Sequence, residues 1–289
     1  MKHDTVTSHA PMNGVFDGTA YSVAGEGPAL VLIHGVGMNR SVWAPQVDAL
    51  RLCFRVVSYD MLGHGDSRLP AASPALDEYA AQLAALLDHL QIDAAHVVGH
   101  SMGSLIALEF ALQYPQRVAS VVALNAVYDR TPTQRAAVMQ RAASLEDGGL
   151  EQPSIDATVA RWFDDPVPGH LAQVAELVRS LLETVNPEGY ARTYRLFASS
   201  DQAHVGRLPQ LAVPALFMTG ERDPNSSPAM SHSMAAAAPR GRAEIIANER
   251  HMMNVTAPAI VTSGWCSLFV KRVALERLGH VRPAYRPLI

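Results

Sequence analysis

The stretch "HVVGHSMGSLIALEF", His96 to Phe110, decides how the rest of the chain is read. A strand-like run, "AHVV", leads into Gly99-His100-Ser101-Met102-Gly103, and a helical pattern follows at once, with Leu105, Ile106, Leu108 and Phe110 at its apolar positions. Gly103, Ser104 and Ala107 are small enough to let that helix lie close to a sheet. The five residues fit G-x-S-x-G. A sharp strand-to-helix turn forces its central residue into a strained backbone conformation, and glycines two before and two after it remove side chains that would clash. Ser101 is therefore expected to stand above the sheet at the positive end of the helix, as a nucleophile rather than as turn filler.

The surrounding sequence supplies the sheet. "ALVLIHG" (29–35), "FRVVSYD" (54–60), "RVASVVALN" (117–125) and "VPALFMTG" (213–220) are short apolar runs closed by Gly, Asp or Asn. Such runs read as strands buried on both faces. Helical patterns lie between them, as in "LDEYAAQLAALLDHLQI", where Tyr79, Leu83, Leu86, Leu87 and Leu90 share a face and Asp77 is the candidate N-cap. The alternation predicts an α/β fold with a mostly parallel, doubly wound sheet, begun by two antiparallel segments before Ala29. Between about Val127 and Arg207 the rhythm changes to successive helical patterns broken by Pro and Gly. The expected organisation is a core of residues 1–126 and 208–289 with an all-helical cap, 127–207, over the sheet edge where open α/β sheets bind ligands.

A serine hydroxyl needs an adjacent base, and the base needs a buried carboxylate, in the chain order Ser, acid, His. His170 and His204 fall in the cap and His280 in the tail, whereas His251 sits in a late loop, "NERHMMN", after the strand-like "AEIIA". Asp223, three residues beyond Gly220, is the expected acid, with Glu221 its nearest competitor. The other place for an acid, the end of the strand before the cap, holds Asn125, which cannot offset the charge of an imidazolium. The oxyanion of a tetrahedral intermediate would be met by the backbone N–H groups of Met102 and of Val36, in the loop "HGVGMN". His34 in that loop is read as a side chain that shapes it. Gly35, Arg161 and Trp162 are the candidates for touching substrate, with ordinary packing of the cap on the core as the competing account of Trp162. Arg130, Arg161, Arg192 and Arg195 could serve a carboxylated substrate. Yet Asp129, Glu146, Asp147, Asp156, Asp164, Asp165 and Glu176 balance them along the chain, so solvated helix faces account for most of these charges.

The formal net charge of −4 gives no case for nucleic acid or an anionic membrane. No apolar run approaches the ~20 residues of a membrane span. The N-terminal "MKHDTVTSHAPMNG" lacks the apolar core of a signal peptide, so a cytoplasmic location is expected. Cys53 and Cys266 lie outside metal-ligand spacing and read as free thiols. No cofactor and no metal site is expected, and the partner is a small-molecule substrate; a homo-oligomer is left open.

In order along the chain, "VLIHGVGMNRSVW", "YDMLGHGDSR", "GHSMGS", "GERDPNSSP" and His251 resemble the α/β-hydrolase superfamily from about Gly14 to Phe269. "SVWAPQVDAL", "ARWFDD" and "NPEGYA" are most similar to 3-oxoadipate enol-lactonases and related esterases. The resemblance implies a Ser101–Asp223–His251 triad, oxyanion donors at Val36 and Met102, and hydrolysis of a small carboxylic ester or lactone through an acyl-enzyme. Carbon–carbon bond hydrolysis of ring-cleavage products and a ligand-binding receptor are the alternatives on the same fold. The chain departs from the family pattern at Arg250, where Gly or Ser is common before the histidine. It departs again at Thr256, where Glu is common; Thr256 is expected to cap the next helix. The tail from about Val270 has no counterpart in the family.

Overall fold

The computed structural model describes residues 11–148 and 152–269; the tail from Val270 and His280 lie outside them. Eight strands form one sheet: β1 (Met12–Phe16), β2 (Thr19–Ala24), β3 (Ala29–Ile33), β4 (Arg55–Tyr59), β5 (Ala95–His100), β6 (Val118–Leu124), β7 (Ala215–Gly220) and β8 (Gly241–Ile246). Their spatial order is β1-β2-β4-β3-β5-β6-β7-β8. The first two strands pair antiparallel with each other, and β2 with β4. All later pairings are parallel. The central strands are continuous apolar runs because helices cover both faces: Leu30 to Ile33 and Val121 to Leu124 have essentially no exposed surface.

The helices of the core are α1 (Ala44–Leu50), α2 (Leu76–His89) and α3 (Met102–Gln113), then, late in the chain, α8 (Pro228–Ala237), α9 (Met253–Thr256) and α10 (Pro258–Phe269). Between β6 and β7 come α4 (Pro132–Gly148), α5 (Gln152–Phe163), α6 (Ala172–Thr184) and α7 (Pro187–Ser199), with no strand among the described residues of that segment. Within it α4 packs on α7 and α5 on α6. Its two ends are tied together at Asp201, which accepts from the Arg130 N–H at 2.9 Å and pairs with Arg130 at 3.7 Å and Arg135 at 2.7 Å.

Two local expectations change. Helix α2 starts at Leu76, with Ala75 as its N-cap, so Asp77 lies inside the first turn and accepts from the Glu78 N–H at 2.9 Å. It still stabilises that helix end, by placing negative charge near its exposed N–H groups. Thr256 ends α9 rather than capping α10, and its hydroxyl bonds the Glu249 carboxylate. Cys53 and Cys266 are free thiols.

The strand order places the site. The chain turns outward from β3 to β4, then returns across β3 to β5, so β3 and β5 leave the sheet in opposite senses. Ile33 pairs with Gly99 in register. The loop after β3 and the turn after β5 therefore emerge side by side at the carboxyl edge, the crevice that such a switch point creates.

Candidate active site

Ser101 occupies the turn between β5 and α3 with φ 54° and ψ −116°, a left-handed conformation costly for a side-chain-bearing residue. The surroundings enforce it. A Cβ on Gly99 would lie 2.0 Å from the Gly103 carbonyl oxygen, and one on Gly103 would lie 2.3 Å from that of Ile33. Only hydrogen fits at either position, so strand, turn and helix close onto one another. The Ser101 N–H donates to Leu124 O at 2.9 Å, and its carbonyl accepts from Ser104 N at 2.9 Å. Met102, as the first residue of α3, has an N–H without an intrahelical acceptor. In the loop after β3, Gly37 N donates to His64 at 3.0 Å and Met38 N to Gly35 O at 3.2 Å. Among the described residues, no partner takes the Val36 N–H.

Asp223 and His251 meet from the loops after β7 and β8. The imidazole Nδ1–H donates to Asp223 Oδ2 at 2.9 Å, and both side chains are buried. That bond leaves Nε2 as the free base. Asp223 also accepts from Asn125 Nδ2 at 2.7 Å and from the N–H groups of Asn225 at 2.8 Å and Ser226 at 3.2 Å, with the Ser226 hydroxyl 2.8 Å away. Burial pushes its carboxyl up, but the adjacent His251 and these donors outweigh burial and hold the pKa at about 2. Glu221 faces away, accepting the Asn248 N–H at 2.9 Å on the exposed surface. Asn125, which fills the alternative acid position, instead supports the carboxylate at the end of the neighbouring strand.

Three further histidines brace this machinery as neutral rings. His34 donates Nδ1–H to Gly35 O at 2.8 Å and accepts the Met61 N–H at 3.0 Å on Nε2. His64 accepts the Gly37 N–H and donates Nδ1–H to Leu62 O at 3.2 Å. Together they pin the Val36 loop to the loop after β4. His100 donates Nε2–H to the His251 carbonyl at 2.8 Å. Burial lowers their pKa values to about 4 for His34, about 3 for His64 and about 3 for His100.

Ser101 and His251 open onto one cavity of about 240 Å³, which Val36, Arg161 and Trp162 also line. Trp162 lies over the His251 ring, centroids 5.3 Å apart and planes 30° from parallel. Gly35 does not line the cavity. It backs Ser101 instead, where an added Cβ would lie 3.1 Å from Ser101 Cβ. Arg130 lines the cavity but is engaged by Asp201 and by the Phe197 ring, 4.7 Å below its guanidinium. Arg192 is drawn away, bonding Pro70 O at 2.5 Å and pairing with Glu188.

Sequence reasoning passed over Arg141, which also lines the cavity, its Nε donating to the Tyr194 hydroxyl at 3.2 Å. The signal was in the helical period: Gln134, Val138 and Arg141 recur along one face of α4, and all three line the cavity. Among the described residues, no carboxylate pairs with Arg141 or Arg161. The pKa of Arg161 is lowered first by burial and then by the charge of Arg141. Two cations facing one small cavity, with no counter-charge among the described residues, suit the binding of an anion. Among the described residues, no three His, Cys, Asp or Glu side chains gather as a metal site, and no helix is long and apolar enough to cross a membrane.

A family model described as alpha/beta hydrolase fold matches residues 28–258. The chain is 40% identical over 238 residues to an (E)-2-((N-methylformamido)methylene)succinate hydrolase of Acinetobacter baylyi, covering 82% of this chain and 89% of that protein. It is 30% identical over 234 residues to 3-oxoadipate enol-lactonase 2 of the same organism, covering 80% and 84%. Among solved structures, the enol-lactonase from Burkholderia xenovorans LB400 superposes with a TM-score of 0.80 at 27% identity, covering 90% of this chain and all of that one.

Proposed function

The chain belongs to the α/β-hydrolase family, and we propose that within it this protein is a serine hydrolase of a small carboxylate-bearing ester or lactone. Ser101 Oγ attacks the acyl carbon while its proton passes to His251 Nε2. The Asp223 carboxylate, kept ionised by its five donors, offsets the imidazolium that forms. The N–H groups of Val36 and Met102 receive the oxyanion, each typically worth ~3 kcal/mol in the transition state. Collapse breaks the acyl bond, and the leaving group takes the proton from His251. Water, deprotonated by the same nitrogen, then releases the acid and restores Ser101.

The observation that carries the substrate class is the Arg141–Arg161 pair, without a carboxylate partner among the described residues, in the cavity that holds Ser101 and His251. A carboxylate bound there would replace the missing counter-charge. A volume of about 240 Å³ suits a small substrate. The relatives named for a methylene succinate and for 3-oxoadipate are consistent with this, since both names describe short dicarboxylates.

A second reading is favoured by the more similar relative, whose substrate name carries an N-acyl enamine and no ester. The same triad would then cleave an acyl–nitrogen or activated carbon–carbon bond in a ring-cleavage product. A panel of p-nitrophenyl esters, lactones, N-acyl enamines and dienones, each with and without a carboxylate, separates these readings. A Ser101-directed phosphonate probe runs beside it. Labelling with no turnover of any panel member would favour a ligand-binding receptor. Absence of labelling would remove Ser101 as nucleophile.

A further inference from the structure

Arg250 stands immediately before His251, at a position where the sequence departs from the family's usual Gly or Ser. Its side chain reaches away from the core to the end of α5. There Nη1 donates to the Arg161 carbonyl at 3.3 Å, and Nη2 forms an ion pair with Asp164. Asp164 holds φ 113°, a conformation that favours glycine, so the turn carries strain at the residue that faces Arg250. The Arg250 carbonyl is tied back to the acid network by Asn125 Nδ2 at 3.4 Å. One residue thus links the loop of the general base to the turn of α5 that presents Arg161 and Trp162 to the cavity.

We propose that Arg250 and Asp164 form a latch that fixes the Arg161 anion site relative to His251, making Arg250 a positioning residue for carboxylate-bearing substrates. The inference rests on the hydrolase reading above. A small residue at position 250 would leave the end of α5 free to shift. Arg161 would then lose its distance to the reacting atoms, while the Ser101–His251–Asp223 geometry, held from within the core, would stay.

The test is a double-mutant cycle of Arg250→Met and Asp164→Asn in the full chain, with Arg250→Lys as the conservative variant. Three quantities are read: inhibition by succinate of the turnover of a neutral p-nitrophenyl ester, kcat and KM for a carboxylate-bearing ester, and phosphonate labelling of Ser101. Each single variant should raise the succinate Ki and the KM for the anionic ester about tenfold, with kcat changed less than about threefold. The double variant should be no worse than either single one, and Arg250→Lys should recover part of the loss. Additive effects, or unchanged Ki and KM in both single variants, overturn the latch. Circular dichroism and melting of each variant separate a positioning loss from failure to fold. Failure of the wild type to be labelled would overturn the hydrolase reading instead. Labelling and turnover without succinate inhibition would overturn the anion site and the latch together.

Discussion

Three neutral, fully buried histidines make stability depend steeply on pH well above the range where carboxylates titrate. His34, His64 and His100 have pKa values lowered by burial from 6.5 to about 4, about 3 and about 3. Each ring already uses its N–H on a backbone carbonyl, and two of them accept a backbone N–H on the other nitrogen. An added proton would have no acceptor. The unfolded chain therefore binds protons that the folded chain refuses, and stability falls as pH drops through 6.5. The fall ends only where the folded rings themselves protonate, near the lowered values. From pH 7 to pH 5 each histidine should cost about 2 kcal/mol, and the three together on the order of 6 kcal/mol. That is comparable with the ~5–15 kcal/mol that holds a typical domain. Urea unfolding at pH 7, 6 and 5, followed by circular dichroism with linear extrapolation, measures it. The variants His34→Gln and His64→Gln should each be less stable at pH 7 yet lose about one proton from the pH slope. A wild-type stability that is flat across this interval, or Gln variants with the wild-type slope, would refute the assignment of neutral rings.

Ser101→Ala should lower turnover about 10⁴-fold or more while the melting temperature holds, measured on the best ester of the panel. Asp223→Asn should cost a large factor in kcat, because Nδ1 loses its anionic partner, whereas Glu221→Gln should leave kcat near wild type; the opposite pattern would move the acid to Glu221. Arg141→Met and Arg161→Met should each raise KM for a carboxylate-bearing ester about 10- to 100-fold and change KM for its neutral counterpart little, the scale of a lost charge-assisted contact. Gly99→Ala should destabilise the fold by several kcal/mol, read by urea unfolding, because the Gly103 carbonyl oxygen lies 2.0 Å from where the methyl would sit.

The sheet and the pieces of the candidate site were legible because each leaves a local mark. A strand buried on both faces must be a continuous apolar run, and so tight a strand-to-helix corner must be flanked by glycines, so the reading "GHSMG" carries over directly to φ 54° at Ser101. Asp223 and His251 could be placed because each follows a recognisable strand by a few residues, and the geometry brings them within 2.9 Å. Helix starts were less legible, since Asp77 has equally good reasons to sit at the N-cap or within the first turn. Thr256 misled for a different reason: it closes a one-turn helix, α9, so it lies within that turn instead of at the cap of α10, which starts at Pro258. The part played by Asn125 was out of reach. Rejecting it as the acid was sound chemistry, but only the adjacency of β6 and β7 turns that amide toward Asp223.

The proposed anion site was hidden by a cancellation that holds along the chain and fails in space. Counted in sequence, the acids of residues 127–207 offset its arginines, which argued for solvated helix faces. Among the described residues, five of those acids are committed elsewhere: Asp156 and Glu176 to Arg179, Glu188 to Arg192, Asp201 to Arg130 and Arg135, and Asp164 to Arg250. What is left over is not spread on the surface. Arg141 and Arg161 come from different helices, α4 and α5, and face the same cavity as Ser101. Holding two guanidiniums there without a counter-ion costs stability, since like charges repel and burial removes their water. A bound carboxylate reverses both costs at once, so the arrangement favours substrates that bring their own charge.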